Sequence, residues 1–392
     1  MKSDWKIVTI NDCADIVGDG LHGTPQYSQN GEYAFVNGNN LINGKVVIKS
    51  DTKRVIFSEF EKYKKELNDR TIFVSINGTL GNVSAYNNEK IILGKSVCFI
   101  NVKNGYDKNF LFYVLSSPTF RNYMETNSTG TTIKNFSLKQ MREYSFSLPD
   151  ICLQKKIAAI LSALDEKIAT NRAINENLEQ QAQAVYYKMF SKVNTEPVEL
   201  SSIIDVRDGT HDSPKAQATG YYLITSKHLL PFGVDKASAN HISKTDFDKI
   251  NERSLVETQD ILMSMIGTIG LISYIPYETV NFAIKNVALF KTSHTPELAY
   301  YFLCYLKSEK TLQHIEKCLA GSTQKYISLG ELRKMPIYSP TTNEIREFNC
   351  LVKPMFEKIV SRTYENSLLV EMRDTLLPKL MSGKLDISAI ML

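Results

Sequence analysis

The chain has 392 residues, 43% hydrophobic and 22% charged, with 46 Lys plus Arg against 42 Asp plus Glu and a formal net charge of +4. That length suits two or three domains of roughly 100 to 200 residues, and the composition excludes a disordered, collagen-like or disulfide-scaffold protein. So mild a charge permits nucleic-acid binding through a local basic patch without arguing for it.

The N-terminus, Met1-Lys2-Ser3-Asp4-Trp5, lacks the apolar core of a signal peptide. No run reaches the roughly 18 to 20 apolar residues of a membrane span, so a cytoplasmic location and no membrane contact are expected. Cys13, Cys98, Cys152, Cys304, Cys318 and Cys350 are scattered, with no C-x-x-C and no His pair at ligand spacing. Buried reduced thiols are expected, and no metal site.

Along the chain, the loop Asp19-Gly20-Leu21-His22-Gly23-Thr24-Pro25 returns 189 residues later as Asp208-Gly209-Thr210-His211-Asp212-Ser213-Pro214. The turn Gly78-Thr79-Leu80-Gly81 returns at the same offset as Gly267-Thr268-Ile269-Gly270, and the block from Gly130 to Pro149 returns 191 residues later as Gly321 to Pro340. The last block keeps Gly130/Gly321, Thr132/Thr323, Lys134/Lys325, Ser137/Ser328, Leu138/Leu329, Arg142/Arg333 and Pro149/Pro340 identical. Matches at nearly one offset mark a tandem duplication of a unit of about 190 residues.

Each copy has two parts. Residues 1–149 and 196–340 mix β-rich runs (Ile72 to Ile76, Ser96 to Val102, Ile261 to Met265, Val287 to Lys291) with Gly, Asn and Pro turns. Helical stretches from Phe110 to Met124 and from Pro296 to Cys318 complete two α+β domains. Residues 150–195 and 341–392 read instead as long helices. Ile157, Leu161, Leu164, Ile168, Asn171, Asn175, Leu178, Ala182, Val185 and Met189 step by four and three, as do Phe348, Val352, Met355, Ile359, Arg362, Asn366, Leu369, Arg373, Leu376 and Leu380. Heptad spacing places one seam on each helix and asks for a partner helix. Asp150 caps the first; Thr341 with Glu344 forms a capping box before the second; Pro354 is expected to kink the second locally. The seams are polar at their midpoints, which in the expected antiparallel coiled coil around a pseudo-twofold axis sets Asn171 opposite Asn366 and Asn175 opposite Arg362; a parallel pairing would also align like with like but would leave the two globular parts side by side.

Enzyme motifs fail on inspection. Gly18-Asp19-Gly20-Leu21-His22-Gly23 fits G-x-G-x-x-G, but its copy carries Arg207 and Asp212 at the outer glycines; Gly94-Lys95-Ser96 lacks the first glycine of a P-loop, having Glu89 there. Asp150, Asp165, Glu166 and Lys167 imitate a nuclease signature, yet they lie on a heptad helix and the copy has Thr341 and Phe356 for the two aspartates. The N-P-P-aromatic tetrapeptide of amino-methyltransferases does not occur. A non-catalytic chain is expected.

The repeated Gly-Thr-Pro loop (Gly23-Thr24-Pro25), the T-x-K-x-x-S-L segment ending in proline (Thr132 to Pro149), the long helix after each, and the closing Leu377-Pro378-Lys379-Leu380-Met381-Ser382-Gly383 resemble the specificity subunit of type I restriction-modification systems over essentially the whole chain. This sequence has Asp212-Ser213-Pro214 for the first copy's Gly-Thr-Pro, and Ile345 where Gln154 carries a glutamine frequent in the family. The resemblance implies two target-recognition domains, each binding half of a bipartite, asymmetric site on double-stranded DNA. It also implies helices that hold them apart and dock two methyltransferase (modification) subunits, with translocase and nuclease (restriction) subunits joining for cleavage. No cofactor is expected on this chain; S-adenosylmethionine would sit on the methyltransferase. The residues agree: a seam from Ile157 to Met189 spans about 48 Å at roughly 1.5 Å per residue, more than one turn of B-DNA at about 34 to 36 Å, so the helix length sets an unread gap. A coiled-coil scaffold whose globular ends bind protein or RNA is the alternative.

Candidate DNA contacts are loop residues. In the first copy these are His22, Thr24, Asn37, Asn39, Asn40, Asn77, Thr79, Thr131, Thr132 and Lys134. In the second they are His211, Ser213, Ser226, Lys227, His228, Thr268, Thr323, Gln324, Lys325 and Tyr326. Asn and Gln suit adenine edges, and Lys suits guanine or phosphate.

Overall fold

A computed structural model describes residues 5–130, 133–191, 196–321, 325–385 and 387. The chain divides into two compact units, Met1–Ile168 with Ser367–Leu392, and Ala169–Asn366. These cut across the linear division into residues 1–149, 150–195, 196–340 and 341–392: each unit takes one globular repeat and a stretch of both long helices.

In the first unit an antiparallel sheet orders Ala14–Asp19, Val97–Val102, Thr71–Ser75 and Val83–Ala85. Its two middle strands are buried along their whole length, which is why they read as continuous apolar runs. Alternation divides their side chains between two cores. Ile72, Val74, Cys98 and Ile100 pack with Phe110, Leu111 and Phe120, whereas Phe73, Val97 and Phe99 pack with Ala34, Val36 and Leu93. A small mixed sheet orders Arg54–Val55, Tyr33–Val36 and Ile91–Leu93, the last two parallel.

The second unit repeats this strand for strand. Its sheet orders Val206–Asp208, Val287–Phe290, Ile261–Ser264 and Ile272–Tyr274; its mixed sheet orders Asn240–Ile242, Tyr221–Ile224 and Phe282–Ile284. The sequence duplication is a duplication of topology. One buried position differs in kind. Thr71 faces Asn101 across the first sheet and its hydroxyl donates to Asn101 Oδ1 at 2.6 Å. At the corresponding place in the second unit stand Asp260 and Lys291, both fully buried, with Nζ 2.6 Å from Asp260 Oδ2 and 2.7 Å from Glu257 Oε2.

Two expected helices are each split. Lys108–Ser116 ends where Ser117, extended before Pro118, caps Pro118–Asn127 by accepting from the Phe120 N–H. Ser308 separates Ala299–Leu306 from Glu309–Lys317 in the same way. The thiols are all free, as expected, but Cys152 and Cys350 are exposed rather than buried, and Cys318 half-buried. Both exposed ones lie on the solvent side of the long helices.

Those helices are Ile151–Phe190 and Thr342–Met381, 40 residues each, the second running unbroken through Pro354. Asp150 Oδ1 accepts from the Leu153 N–H, and Thr341 and Glu344 form the capping box. In the first unit Arg373 donates to Asp165 at 2.8 Å, and Ile157 and Leu161 share a core with Leu377 and Leu380. In the second, Asn171 Nδ2 donates to Asn366 Oδ1 at 3.0 Å and to Glu365 Oε2 at 2.7 Å. Asn175 Nδ2 donates to Thr363 Oγ1 at 3.3 Å. Within each unit the partner's number falls as the first helix's number rises, so the pairing is antiparallel.

Asn171 faces Asn366 as the seam predicts. Asn175 does not face Arg362: the neighbouring Thr363 takes that place, one residue being about 100° of helical rotation. Ile157, Leu161, Ile168, Phe348, Val352 and Ile359 are buried, and Leu164, Leu178, Val185, Met355, Leu369 and Leu376 half-buried. Next to the half-buried Val185, Met189, Met355 and Leu376, the neighbouring Tyr186, Phe190, Phe356 and Leu377 are buried. The buried face turns by one residue there because the helix end also packs on its globular repeat: Tyr186 and Phe190 meet Tyr301 in tilted and edge-on ring contacts, as well as Phe348 of the partner helix edge-on. Asn171 is only 1% exposed. Asn171→Ala is expected to cost about 1–3 kcal/mol in urea unfolding, since it removes a donor from two half-buried acceptors.

Candidate nucleic-acid interface

The Asp-Gly-x-His repeat has a steric origin. The Gly20 N–H donates to the Val97 carbonyl at 3.2 Å and the Leu21 N–H to the Leu93 carbonyl at 2.7 Å. A Cβ on Gly20 would lie 2.2 Å from the Leu93 oxygen, and one on Gly209 equally close to the Ile284 oxygen. Only glycine lets the strand end this near its neighbour. The chain then turns His22 outward, 71% exposed, with Nε2 2.6 Å from Asp19 Oδ2. His211 emerges likewise, 63% exposed, held by Asp208 at 3.1 Å and by Asn286 Oδ1 at 2.8 Å; Asp208, itself buried, also pairs with Arg253.

Other loops join this one. In the first unit Leu21 bridges to Gly94, Ser96 Oγ donates to Asn37 Oδ1 at 3.0 Å and accepts from the Gly38 N–H at 2.9 Å, and Asn82 Nδ2 reaches the Gly38 carbonyl at 3.4 Å. Across the glycine turn, the Gly78 N–H donates to the Lys134 carbonyl at 3.1 Å and Asn77 Nδ2 to Asn135 Oδ1 at 3.2 Å. Loops 20–24, 37–40, 77–82, 94–96 and 133–135 therefore form one continuous rim. In the second unit Thr210 bridges to Lys285, whose N–H donates to the Ile224 carbonyl at 2.9 Å and whose Nζ donates to Ser213 Oγ at 2.5 Å. Ser264 Oγ closes the 267–270 turn on the Thr268 carbonyl at 2.6 Å, and Ile266 bridges to Tyr326.

On these rims His22, Thr24, Asn39, Thr79, Lys134, His211, Ser213, Lys227, Thr268, Lys325 and Tyr326 are exposed, and Asn37, Asn77 and Ser226 half-buried. Two candidates turn inward and are corrected. Asn40, 4% exposed, accepts the Asn37 N–H at 3.0 Å and donates to the Val47 carbonyl; His228, 2% exposed, accepts the Thr225 N–H through Nδ1 at 3.0 Å. Each cements a short 3-10 turn. Thr131, Thr132, Thr323 and Gln324 lie outside the described residues. The Gly94-Lys95-Ser96 turn, which is not a P-loop, belongs to the rim; its counterpart has Lys285 for the glycine, so the repeat carries no identity there.

Burial pushes the His228 imidazole below its ordinary value of 6.5, with Lys227 adding to the effect. A histidine depressed by folding favours the neutral form, so its stabilisation holds above pH 6.5 and is lost as pH falls below it. His228→Asn, which installs the first unit's residue, is expected to flatten the decline of melting temperature on going below pH 6.5.

Three of the seven identical pairs in the last repeated block have structural reasons. Arg142 Nη2 donates to the Val17 carbonyl at 2.6 Å and Arg333 Nη2 to the Val206 carbonyl at 2.7 Å. Gly130 and Gly321 hold φ of +94° and +93°, and Ser137 and Ser328 cap helices. Lys134 and Lys325 are different: both are exposed, and neither side chain has a hydrogen bond or ion pair within the described residues.

A family model for the type I restriction modification DNA specificity domain matches residues 2–180 and again 192–348. The chain belongs to that specificity family. Its two matches fall on the two repeats. Among relatives of the specificity family, the MjaIX specificity subunit of Methanocaldococcus jannaschii is 24% identical over 98% of this chain and 94% of its own. The HindI specificity subunit of Haemophilus influenzae is 24% identical over 70% of this chain and 77% of its own. The crystal structure of the type I restriction-modification S subunit from M. genitalium shares the fold, with a TM-score of 0.54 at 19% identity over 96% of each chain. Among the described residues no helix is long and apolar enough to cross a membrane.

Proposed function

We propose that this chain is the DNA-reading subunit of a type I restriction-modification complex, each unit contacting one half of a bipartite duplex site through its rim. One observation carries this reading: the rim occurs twice on the same scaffold, with its glycines, caps and carbonyl-bound arginines kept while its exposed side chains differ. Asn39 answers to Lys227, Thr24 to Ser213 and Asn135 to Tyr326. Two frames of one shape with unlike faces suit two unlike half-sites. The long helices set the gap between half-sites and dock methyltransferase subunits, two being favoured by two similar helices; S-adenosylmethionine binds on those subunits, and this chain performs no chemistry. Restriction subunits join the same assembly, in the cytoplasm.

Reconstitution with the methyltransferase tests the reading. Binding to duplex DNA should be selective for one gapped site and should weaken steeply with salt. Equal binding to all duplexes would overturn the proposal, and binding only to RNA or protein would replace it by the scaffold reading.

A further inference from the structure

One rim position combines the same backbone with opposite chemistry. In the first unit Asn77 forms an isolated antiparallel bridge to Asn135; in the second, at offsets of 189 and 191, Ile266 bridges to Tyr326. Each bridge directly follows the repeated lysine and adjoins the repeated glycine turn, so both side-chain pairs sit beside the best phosphate-contact candidates.

The two amides are joined head to tail, Asn77 Nδ2 to Asn135 Oδ1 at 3.2 Å. That bond leaves one amide oxygen and one amide NH2 without another hydrogen bond in the described residues, and reversing both amides leaves the same complement. An acceptor beside a donor matches adenine in the major groove, whose N6 amino group donates and whose N7 accepts. Tyr326, 44% exposed, and the half-buried Ile266 offer apolar surface instead. The base feature that apolar surface recognises is the thymine methyl.

Resting on the DNA-reading function above, we infer that this bridge is a specificity-determining position in each unit. The Asn77–Asn135 pair selects an adenine in one half-site, and Ile266–Tyr326 selects a thymine methyl in the other.

The test uses the chain reconstituted with its methyltransferase and a duplex library randomised around the wild-type site. Asn135→Ala should lower discrimination at one base pair of one half-site by roughly 5- to 150-fold and leave the other half-site unchanged. Asn135→Asp, which keeps the shape but turns the donor into an acceptor, should move the preference at that pair from adenine toward cytosine, whose N4 donates. In the other half-site, Tyr326→Ala should stop discriminating thymine from uracil, which lacks only the methyl.

Unaltered base preference in all three variants would overturn the inference. So would a uniform loss of affinity for every sequence, since that marks a residue that positions the backbone. Both results presuppose selective binding by the wild-type complex; absence of that selectivity would refute the DNA-reading function itself, and this inference with it.

Discussion

Replacing Lys291 by Met is expected to destabilise the second unit by about 3–5 kcal/mol, because breaking a buried pair leaves an uncompensated charge. Asp260 is fully buried and Lys291 1% exposed, with Nζ 2.6 Å from the carboxylate and 3.1 Å from the Leu255 carbonyl. For a unit of this size the loss corresponds to a fall of about 6–20 °C in its melting temperature, read by calorimetry. The repeat supplies its own control. Asp260→Thr combined with Lys291→Asn, the neutral pair already present as Thr71 and Asn101, should restore much of the loss. If Lys291→Met melts with the wild type, the cluster does not hold the unit. The pH dependence follows the same contacts. Lys291 holds the Glu257 carboxyl below its ordinary value of 4.5, so its stabilisation is complete above that pH and lost as pH falls through the lowered value.

The double change Lys134→Ala with Lys325→Ala should weaken duplex binding by the methyltransferase complex for every sequence alike. If each lysine neutralises one phosphate, the slope of log affinity against log salt should become shallower by about 2, near 0.9 for each contact. At low salt the affinity loss should be largest; at high salt wild type and variant should converge. The thermal stability should stay close to wild type, since both side chains are exposed. An unchanged slope would remove the pair from the interface and leave the repeated identity of these lysines unexplained.

Architecture was legible in the sequence because duplication makes a pattern its own check. Equal offsets marked matching strands; the polar midpoints at Asn171 and Asn366 suit antiparallel and parallel helix pairing alike, and the 3.0 Å contact bears out the antiparallel expectation. Tertiary packing overrides periodicity at the helix ends. Tyr186 and Phe190 are buried against Tyr301, a residue of the globular repeat that no helical period announces. Compact-unit boundaries were also hidden, because long helices obey one period while their two ends belong to different cores.

The rim was legible only as a set of loops. Asn40 and His228 looked like free polar side chains, and local hydrogen bonds to their own turns turn them inward. The repeat gave no reason to choose Asn135 or Ile266, since Asn answers to Tyr and Asn77 to Ile at those offsets. That lack of identity becomes informative only when the backbone shows both pairs in the same bridge.

The most direct test of the account is to map methylated sites in cells carrying this chain with its methyltransferase, and again after residues 5–149 are replaced by residues 196–340. The wild type should mark a gapped site with two unlike halves, and the variant should keep the gap but carry the second unit's half-site on both sides. An uninterrupted site, or a variant in which both halves change together, would contradict independent reading by the two repeats.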